Sequence, residues 1–485
     1  MFRTLAALLL IVPSLTLADM PPIEESELQP GGEGTVEPMY DIDVFALPAA
    51  NLSIIQELDF QFGSGLFRKR WQPLDEGNYR MDGLGPLYNT NSCLFCHIKD
   101  GRGYAPDGTS FETSYEVVSM IGKVGVPADE GAYMDEMEEY LAALDPDFEP
   151  MRPHPVYGYQ IQDHAIEGHK PEGSISVIWH PEEVTLADGV VVTLRRPEFS
   201  IEGLAYGPLG EHAFSPRITP QLTGLGLLTA IPEDAIKSKA DPLDEDGDGI
   251  SGRAQITWSD ILDRPALGRF GWKGSAATVR DQISVALRND MGVSSDLQPD
   301  DAGDCTAAQP ECLNAPHGRG AAEEYEALTA SLRGLTVYAE NIGVPARRDA
   351  DDKQVLQGRK VFGEIGCAAC HTPKWQTGEV VGQPQLSNQT IWPYTDLLLH
   401  DMGPELADDF PEMLASGREW RTPPLWGIGL IDLTNGREDY LHDGRAGSLL
   451  EAILWHGGEG QSARDAVIEL STSDREALLA FLKSL

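Results

Sequence analysis

The sequence predicts a mainly α-helical protein of two domains, the first of which is expanded by insertions that include a small β-hairpin. One observation is that helix-like stretches near Ser53 and Asp349 each run into the same short cysteine motif. Another is that the chain ends in SDREALLAFLKSL, an amphipathic helix with a Ser/Asp cap. A single segment, residues 174–200, instead alternates β-branched residues around the turn pair Asp188-Gly189. That alternation predicts one hairpin in an otherwise helical chain.

The composition is that of a large, acidic, globular protein. The chain has 485 residues, of which 41% are hydrophobic, so it can form two or three domains with sizeable cores. These values exclude a disordered or collagen-like chain. With 36 Lys and Arg against 77 Asp and Glu, the formal net charge is −41. Such a charge repels phosphate backbones and anionic lipids, which argues against nucleic acid or membrane partners, whereas a basic protein would be attracted.

The N-terminus has the pattern of a secretory signal peptide. Arg3 precedes an apolar stretch, residues 5–17, that is broken by Pro13 and followed by Ala18. We therefore expect residues 1–18 to be removed and the mature protein to be exported, to the periplasm in a bacterium. No later stretch approaches about 18 uninterrupted apolar residues, so no membrane insertion is expected.

Four of the six cysteines lie in two copies of the motif Cys-x-x-Cys-His. This spacing is the signature of covalent c-type haem attachment, in which both thiols bond to the haem and the histidine becomes an iron ligand. A redox-active cysteine pair does not need the histidine, and zinc would require both copies to converge on one ion. The sequence thus predicts two covalently bound c-type haems, attached at Cys93, Cys96 and His97 and at Cys367, Cys370 and His371.

Each motif stands in a unit of its own. Residues 346–485 combine an N-terminal helix, the second motif, a loop with candidate iron ligands and a closing helix, which together predict a C-terminal cytochrome c domain. Residues 19–345 then form an expanded N-terminal cytochrome c-like haem domain. An Arg-rich link near Pro345 separates the two.

An internal repeat supports this division. The segment GRFGWKGSAATVRDQ follows the first motif, and YLHDGRAGSLLEAI follows the second. Aligning Trp272 with His442 also superposes Gly274 on Gly444. In both segments a glycine turn is expected to precede an apolar helix.

Two further motifs concern disulfide and metal chemistry. Cys305 and Cys312 lack a nearby histidine and lie in a Pro-containing loop, which predicts a local disulfide in an exported protein. The segment 244–250, DEDGDGI, has acidic oxygens at alternate positions and a glycine at the sixth, like the first half of a Ca²⁺ loop. The twelfth position is Gln255 rather than Glu, so Ca²⁺ is a candidate cofactor and a plain acidic turn is the alternative.

The residues resemble the bacterial dihaem cytochrome c peroxidase and MauG superfamily, in particular its dihaem oxidoreductase or thiol oxidoreductase branch. The resemblance covers nearly the whole mature chain. It rests on both cysteine motifs and on the following segments: GRFGWKGSAATVRDQ, NDMG, YTDLLLHDMG, EWRTPPLWGIGL and YLHDGRAGSLLEAILWHGGE. It implies two haems brought together across a domain interface with a tryptophan between them. One haem would react with peroxide, and the other would store or relay electrons.

The resemblance also implies roles for residues near the first haem. Trp272 matches the tryptophan between the haems, although a core aromatic is the alternative. Gln282 matches a glutamine of the distal pocket. Asp290 lies where the family has a carboxylate beside Met-Gly, and an acid there would move protons as the O–O bond of peroxide breaks. Met291 is a rival, because it would close the site as a second iron ligand.

For the second haem, His442 matches the histidine of the family's His-Asp-Gly loop. His456 stands where peroxidases have a methionine ligand, on the last turn of a short amphipathic helix that ends at two glycines. We expect His456 to bind this iron opposite His371, with Met402 and His400 as rival ligands.

The sequence therefore predicts an exported dihaem c-type oxidoreductase, peroxidase-like or MauG-like, with a reactive N-terminal haem and an electron-relaying C-terminal haem. The alternative is a dihaem electron-transfer cytochrome without substrate chemistry. Expected partners are an electron-donor or acceptor protein, such as a small cytochrome or cupredoxin, or a protein substrate.

Overall fold

The structure, a computed structural model, describes residues 23–37, 42–74, 82–106, 120–129, 133–318 and 325–485. The predicted signal peptide, residues 1–18, lies outside these ranges. Within them, none of the helices has the length and apolar character needed to cross a membrane.

The α-helices of the described residues fall into two groups, one around each cysteine motif. They are α1 (Ile54–Phe67), α2 (Cys93–Cys96), α3 (Glu136–Leu144), α4 (Leu225–Thr229), α5 (Glu233–Lys237), α6 (Val279–Met291), α7 (Pro310–Leu313), α8 (Thr329–Glu340), α9 (Lys353–Glu364), α10 (Ile431–Asn435), α11 (Leu449–Leu454), α12 (Gln461–Glu469) and α13 (Thr472–Ser484).

The strands of the described residues are mostly short and pair antiparallel. They are β1 (Leu87–Tyr88), β2 (Ile121–Pro127), β3 (Met151–Pro153), β4 (Gln160–Ile161), β5 (His164–Ala165), β6 (Ser174–Thr185), β7 (Val191–Glu202), β8 (Ala213–Arg217), β9 (Ile256–Ser259), β10 (Arg264–Leu267), β11 (Trp375–Gln376), β12 (Thr390–Ile391), β13 (Leu399–Asp401) and β14 (Glu419–Arg421).

The fold is therefore mixed, and the mainly α prediction is only partly right. The predicted hairpin is confirmed: β6 pairs with β7, and Gly189 in its turn has a φ of 84°. The sequence analysis missed a four-stranded sheet in which β2 pairs with β3, β4 and β8. Its strands are two to seven residues long and pair over large separations, as in Ile121 with Arg217, so local periodicity gives little signal for them.

Two helix pairs hold the cysteine motifs in the same way. Helix α1 packs on α8, and α9 packs on α13. A Cβ atom at Gly63 would lie 2.2 Å from the carbonyl oxygen of Gly334, and one at Gly358 would lie 1.9 Å from that of Ala477. Only glycine permits such backbone contact. The repeated crossing supports two related units, while their assignment to the cytochrome c class and the boundary at residue 345 stay predictions.

The internal repeat is confirmed by the backbone. Phe270 bridges to Ala276 in the first copy, and Tyr440 bridges to Ala446 in the second. The aligned glycines have nearly equal positive φ angles, 69° at Gly274 and 73° at Gly444. The helices that follow, α6 and α11, begin at the aligned residues Val279 and Leu449.

The hairpin β6–β7 joins the two halves of the chain. Its base lies in the first half, but Leu186 and Leu194 near its tip belong to the hydrophobic core formed by the C-terminal helices. The backbone N–H of Ala187 donates to the carbonyl of Ile468 at 2.9 Å. The carboxylate of Asp188 accepts from the guanidinium of Arg475 at 2.6 Å. This inserted element therefore stabilises the contact between the units.

The predicted disulfide is also confirmed, since Cys305 and Cys312 are joined and their Cα atoms lie 5.9 Å apart. The disulfide closes a short loop that carries Asp304 at one end and Gln309 inside it. Asp304 accepts hydrogen bonds from the backbone N–H groups of Tyr159 and Gln160, at 2.6 and 3.0 Å. The loop is thus fixed against the four-stranded sheet.

Candidate functional site

The first motif presents His97 as a neutral imidazole with one nitrogen available. The cysteines form the short helix α2, and His97 follows at its C-terminal end. The Nδ1–H of His97 donates to the carbonyl of Pro220 at 3.0 Å, and burial lowers its pKa to about 4. The ring of Phe67 packs against it, with centroids 6.1 Å apart. A hydrogen bond at Nδ1 leaves the Nε2 lone pair for a metal, as in metal-binding histidines.

A cavity of about 1440 Å³ opens beside this motif and contains the predicted site residues. Its wall includes both cysteines of the motif and His97, together with Trp272, Gln282 and Asp290. Met291 lines the same cavity and packs in the adjacent core. The structure therefore brings together, around one space, the residues predicted to hold and serve the first haem.

Asp290 lies deep in this cavity wall, near the attachment cysteines. The side-chain amide of Gln160 donates to its carboxylate at 2.8 Å. Burial raises the pKa of Asp290 to about 6, against the lowering effects of Gln160 and Lys123. The negative charge of Asp290 in turn raises the pKa of both Cys93 and Cys96, after the larger effect of burial. A carboxyl group with this pKa can both accept and release a proton near neutral pH.

Three buried arginines line the cavity without acidic partners, and the sequence analysis missed them. Arg102, Arg269 and Arg421 are 6–7% exposed. Their hydrogen bonds in the described part of the chain go only to backbone carbonyls, and no described carboxylate lies within 4.0 Å of any of them. Burial lowers the pKa of each to about 10. The buried Nε of Arg102 has no hydrogen-bond partner.

Asp439, Glu233 and Asp396 act on Arg102, Arg269 and Arg421, respectively, only from beyond ion-pair distance. Buried cations without a directly paired carboxylate are costly, so this cavity suits a ligand that carries carboxylates. The two propionates of a haem would meet that need. The arginines lie in three short segments: KDGR, which follows the first motif, GRFGW and EWRTPP. These arginines are visible in the sequence, but only the structure shows that they are buried around one cavity.

Trp272 is buried between the two repeated segments. Its indole N–H donates to the carbonyl of Ile218 at 2.8 Å, while the N–H of Ile218 donates to the carbonyl of His442 at 2.8 Å. The ring of His442 stacks on Trp420 with centroids 3.7 Å apart and planes 14° from parallel. Trp272 and Trp420 share one apolar cluster, against which Met402 packs. The aligned residues Trp272 and His442 are thus linked through Ile218 and Trp420 in one buried region.

Two histidines near the second motif, His371 and His456, are neutral imidazoles, as His97 is. Cys367–Ala369 form a 3-10 turn, and the Nδ1–H of His371 donates to the carbonyl of Tyr394 at 3.0 Å. The Nδ1–H of His456 donates to the carbonyl of Ala452 at 2.8 Å. Burial lowers the pKa of both, and a nearby His456 lowers that of His371 further, to about 4. Both Nε2 atoms remain available to iron.

One of the two rival ligands, His400, has both ring nitrogens occupied. His400 has its Nδ1 hydrogen-bonded to Glu459 at 2.6 Å and its Nε2 to Asp396 at 2.9 Å, so neither nitrogen is available. His442 is fixed by its stack on Trp420. Met402 lies close enough to His456 that a Cβ atom at Gly460 would contact both side chains. The structure favours His456 over His400, while Met402 remains near the same site.

Other metal and thiol chemistries fit less well. Burial raises the pKa of Cys93 and of Cys367 to about 12, the opposite of a redox-active cysteine. Within the described ranges, the two motifs do not converge. The one cluster of possible metal ligands in those ranges joins the half-buried Asp241 and Asp244 with the exposed Asp246. Its carboxylates also accept from nearby backbone N–H groups, as in an acidic turn, and Ca²⁺ there stays a prediction.

The fold holds two Cys-x-x-Cys-His segments, one of them beside a large cavity lined by arginines. This arrangement is expected of the class of dihaem proteins. The family model "Di-haem oxidoreductase, putative peroxidase" matches residues 26–485. The chain therefore belongs to the di-haem oxidoreductase family, and the resemblance stated from its motifs is confirmed.

Other comparisons add little. No curated protein matches the sequence. Among solved structures, the chain is similar to one of hydrazine synthase from Kuenenia stuttgartiensis, pressurized with 20 bar xenon. The identity is 19%, and the match covers 32% of this chain and 55%, about half, of that one. The TM-score is 0.23, too low to relate the folds.

Proposed function

We propose that the protein is an exported dihaem c-type oxidoreductase whose first haem reacts with peroxide or a substrate and whose second haem relays electrons. The observation that carries this proposal is an asymmetry. Among the described residues lining the first cavity, His97 is the only histidine. At the second motif, His371 has His456 as a neighbour in the same protonation state. One iron would thus keep an open position and the other would be closed.

The residues fit haem at both motifs. Cys93 and Cys96 would attach the first haem, His97 would ligate it, and the arginines Arg102, Arg269 and Arg421 would pair with its propionates. When bound, haem supplies an iron that can react with peroxide and exchange single electrons. Cys367, Cys370, His371 and His456 would hold the second. Ca²⁺ at the turn of Asp244 and Asp246 would be an additional, structural ligand.

Side chains of the protein would move the protons, orient the peroxide and exclude water. Asp290 would take a proton from the incoming peroxide and return it to the departing oxygen, held for this by the amide of Gln160. Gln282 would orient the peroxide from the same helix, α6. Trp272 would fill the gap between the haems with a large π system and exclude water from it.

The alternative is an electron-transfer cytochrome with both irons closed, in which Met291 would be the second ligand of the first haem. An EPR spectrum of the purified, oxidised protein distinguishes the two functions. We expect one high-spin and one low-spin haem, and a change of the high-spin signal after addition of hydrogen peroxide. Two low-spin signals that peroxide leaves unchanged would establish the electron carrier.

Both haems are expected to stay attached after unfolding, because thioether bonds survive denaturation whereas iron coordination does not. Intact mass spectrometry of the denatured protein should show the mass of two haems. The double variant Cys93→Ala/Cys96→Ala should retain one. The control Cys305→Ala/Cys312→Ala, which removes the disulfide instead, should retain two. Fewer than two haems in the native sequence would refute covalent attachment.

Replacing Trp272 with Phe is expected to slow peroxide-driven oxidation of the second haem, because the smaller ring leaves a wider gap and loses the hydrogen bond to Ile218. Stopped-flow absorbance of the second haem measures this rate. Trp375→Phe is the control, since Trp375 is also 7% exposed and also donates its indole N–H to a backbone carbonyl, but does not line the first cavity. An unchanged rate in Trp272→Phe would show that electrons do not pass by this residue.

Export to the periplasm is part of the proposal, supported by the N-terminal pattern. The electron partner would be a small cytochrome or cupredoxin, or a protein substrate oxidised at the surface, and the net charge of −41 favours one with a basic face.

A further inference from the structure

We propose that the outer part of the first cavity binds an uncharged aromatic reductant beside the first haem. This inference rests on the proposed function and names its substrate class. The outer lobe is defined here by Tyr133, Met137, Phe148, Met151 and Met413, which line the cavity away from the cysteine motif.

The volume of the cavity indicates two occupants. Pockets for a single ligand usually measure about 300–1,000 Å³. This cavity measures about 1440 Å³ and extends from His97 and Cys96 to residues that are largely in solvent. Tyr133 is 84% exposed and Met413 is 38% exposed, so the outer lobe is open to entering molecules. A haem attached at the inner end would leave this outer space free.

The side chains of the outer lobe favour an aromatic ligand. Tyr133 and Phe148 offer ring faces, which prefer offset or edge contacts with another ring. Three methionines stand among them, and thioethers adapt to ligand shape and contact rings favourably. Tyr133 and Met413 are exposed and the other three side chains are half-buried. Apolar side chains gathered in this way around one opening are typical of a binding site rather than of ordinary surface.

The charges of the cavity distinguish its two ends. The arginines of the inner end, Arg102, Arg269 and Arg421, have no acidic partner in the described chain and are suited to haem propionates. The cations near the outer lobe instead each have a carboxylate within ion-pair distance. Lys123 and Arg217 share Glu412, Arg217 also contacts Asp408, and Arg152 pairs with Glu138.

Since every cation that the structure describes near the outer lobe already has a carboxylate beside it, an anionic ligand would gain less there than at the inner arginines. Three acidic residues of α3, Asp135, Glu136 and Glu138, line the same opening and would repel it. An uncharged molecule avoids both costs. A hydroquinone bound in this lobe would lose two electrons and two protons and leave as a quinone. Hydrogen peroxide would take up both and leave as two water molecules.

Binding can be tested on the holoprotein with 4-methylphenol, followed by the difference spectrum of the haem and by calorimetry. The charged probe of similar shape is 4-methylbenzoate. We expect the phenol to bind at least about tenfold more tightly than the benzoate at pH 7. Met413→Lys should weaken phenol binding by about tenfold, because it places an unpaired charge in the lobe. Val381→Lys is the matched control, since Val381 is 94% exposed and does not line the cavity.

Equal affinity for both probes, or no effect of Met413→Lys, would refute the site. If the holoprotein reacts with peroxide but binds no phenol, the inference is wrong and the proposed function stands. If phenol binds as predicted but peroxide leaves the haems unchanged, the binding site is supported and the peroxide reaction is refuted.

Discussion

Replacing Asp290 with Asn is expected to slow the reaction with hydrogen peroxide by about 10²–10⁴-fold, the range typical of losing a general acid–base group. Asp290 is the carboxylate that lines the first cavity near the attachment cysteines. An amide has a similar shape and can still accept the hydrogen bond from Gln160, but it cannot accept a proton from peroxide. Haem content and spin state should therefore stay as in the native protein.

The rate is measured by stopped-flow absorbance after mixing with peroxide. Asp300→Asn is the matched control, because the side chain of Asp300 is 56% exposed and makes only a hydrogen bond from the backbone N–H of Ala302 and a long contact with Arg288. It should react at the native rate, whereas Gln282→Leu should be slowed without a change in coordination. A native rate in Asp290→Asn would remove this residue from the mechanism.

The pH profile gives an independent check of the same role. Burial raises the pKa of Asp290 to about 6, so the carboxylate that accepts a proton is the main form only above that pH. We expect the native rate to fall as the pH decreases through about 6. Asp290→Asn should lack this fall, since Asn does not titrate. A native profile without that fall would contradict the assignment.

Replacing His456 with Ala is expected to change one haem from low-spin to high-spin, which is a complete change in the coordination of that iron. His456 has its Nδ1–H bound to a backbone carbonyl and its Nε2 available, in the same state as His371. Removing the ring would leave the second iron with one protein ligand. Because imidazole as an axial ligand lowers the potential relative to methionine, the potential of this haem should rise as well.

EPR and a redox titration measure both effects. Met402→Leu is the matched control, a replacement of similar volume next to the same site. It should keep the native spectrum. If His456→Ala keeps the low-spin signal and Met402→Leu loses it, methionine is the ligand and the assignment of His456 is wrong.

The local features of the fold could be read from the sequence because each depends on residues that are close together in the chain. The hairpin, the glycine turns of the repeat and the C-terminal helix α13 belong to this kind. The helix begins slightly earlier than predicted, with Ser471 as its cap, so that Ser473 and Asp474 lie in its first turn. The four-stranded sheet does not, since its strands pair across most of the inserted region. Nothing in the short strand β4 indicates a partner in β2.

The candidate site shows the same limit. Both cysteine motifs, Trp272, Gln282 and Asp290 could be named from the sequence, and the structure places the first motif and the other three residues around one cavity. The role of the arginines could not be predicted, because they lie in three distant segments of the chain. Only the folded structure shows that no described carboxylate pairs with them directly. The choice between His400 and His456 also depends on which groups form hydrogen bonds with their ring nitrogens. Only the structure shows that Asp396 and Glu459 occupy both nitrogens of His400.

The hairpin β6–β7 also sets an order of assembly. A chain is made from its N-terminus, so residues 174–202 exist before α12 and α13 do. Until those helices appear, Leu186 and Leu194 lack part of the core that covers them, and the tip of the hairpin lacks its partners Ile468 and Arg475. The first unit can therefore become compact early, but it can lock onto the second only after the last residues of the chain have folded. A chain that stops before residue 461 would lack Ile468 and Arg475, which bind the tip of the hairpin. We therefore expect such a truncated chain to expose apolar surface there and to aggregate.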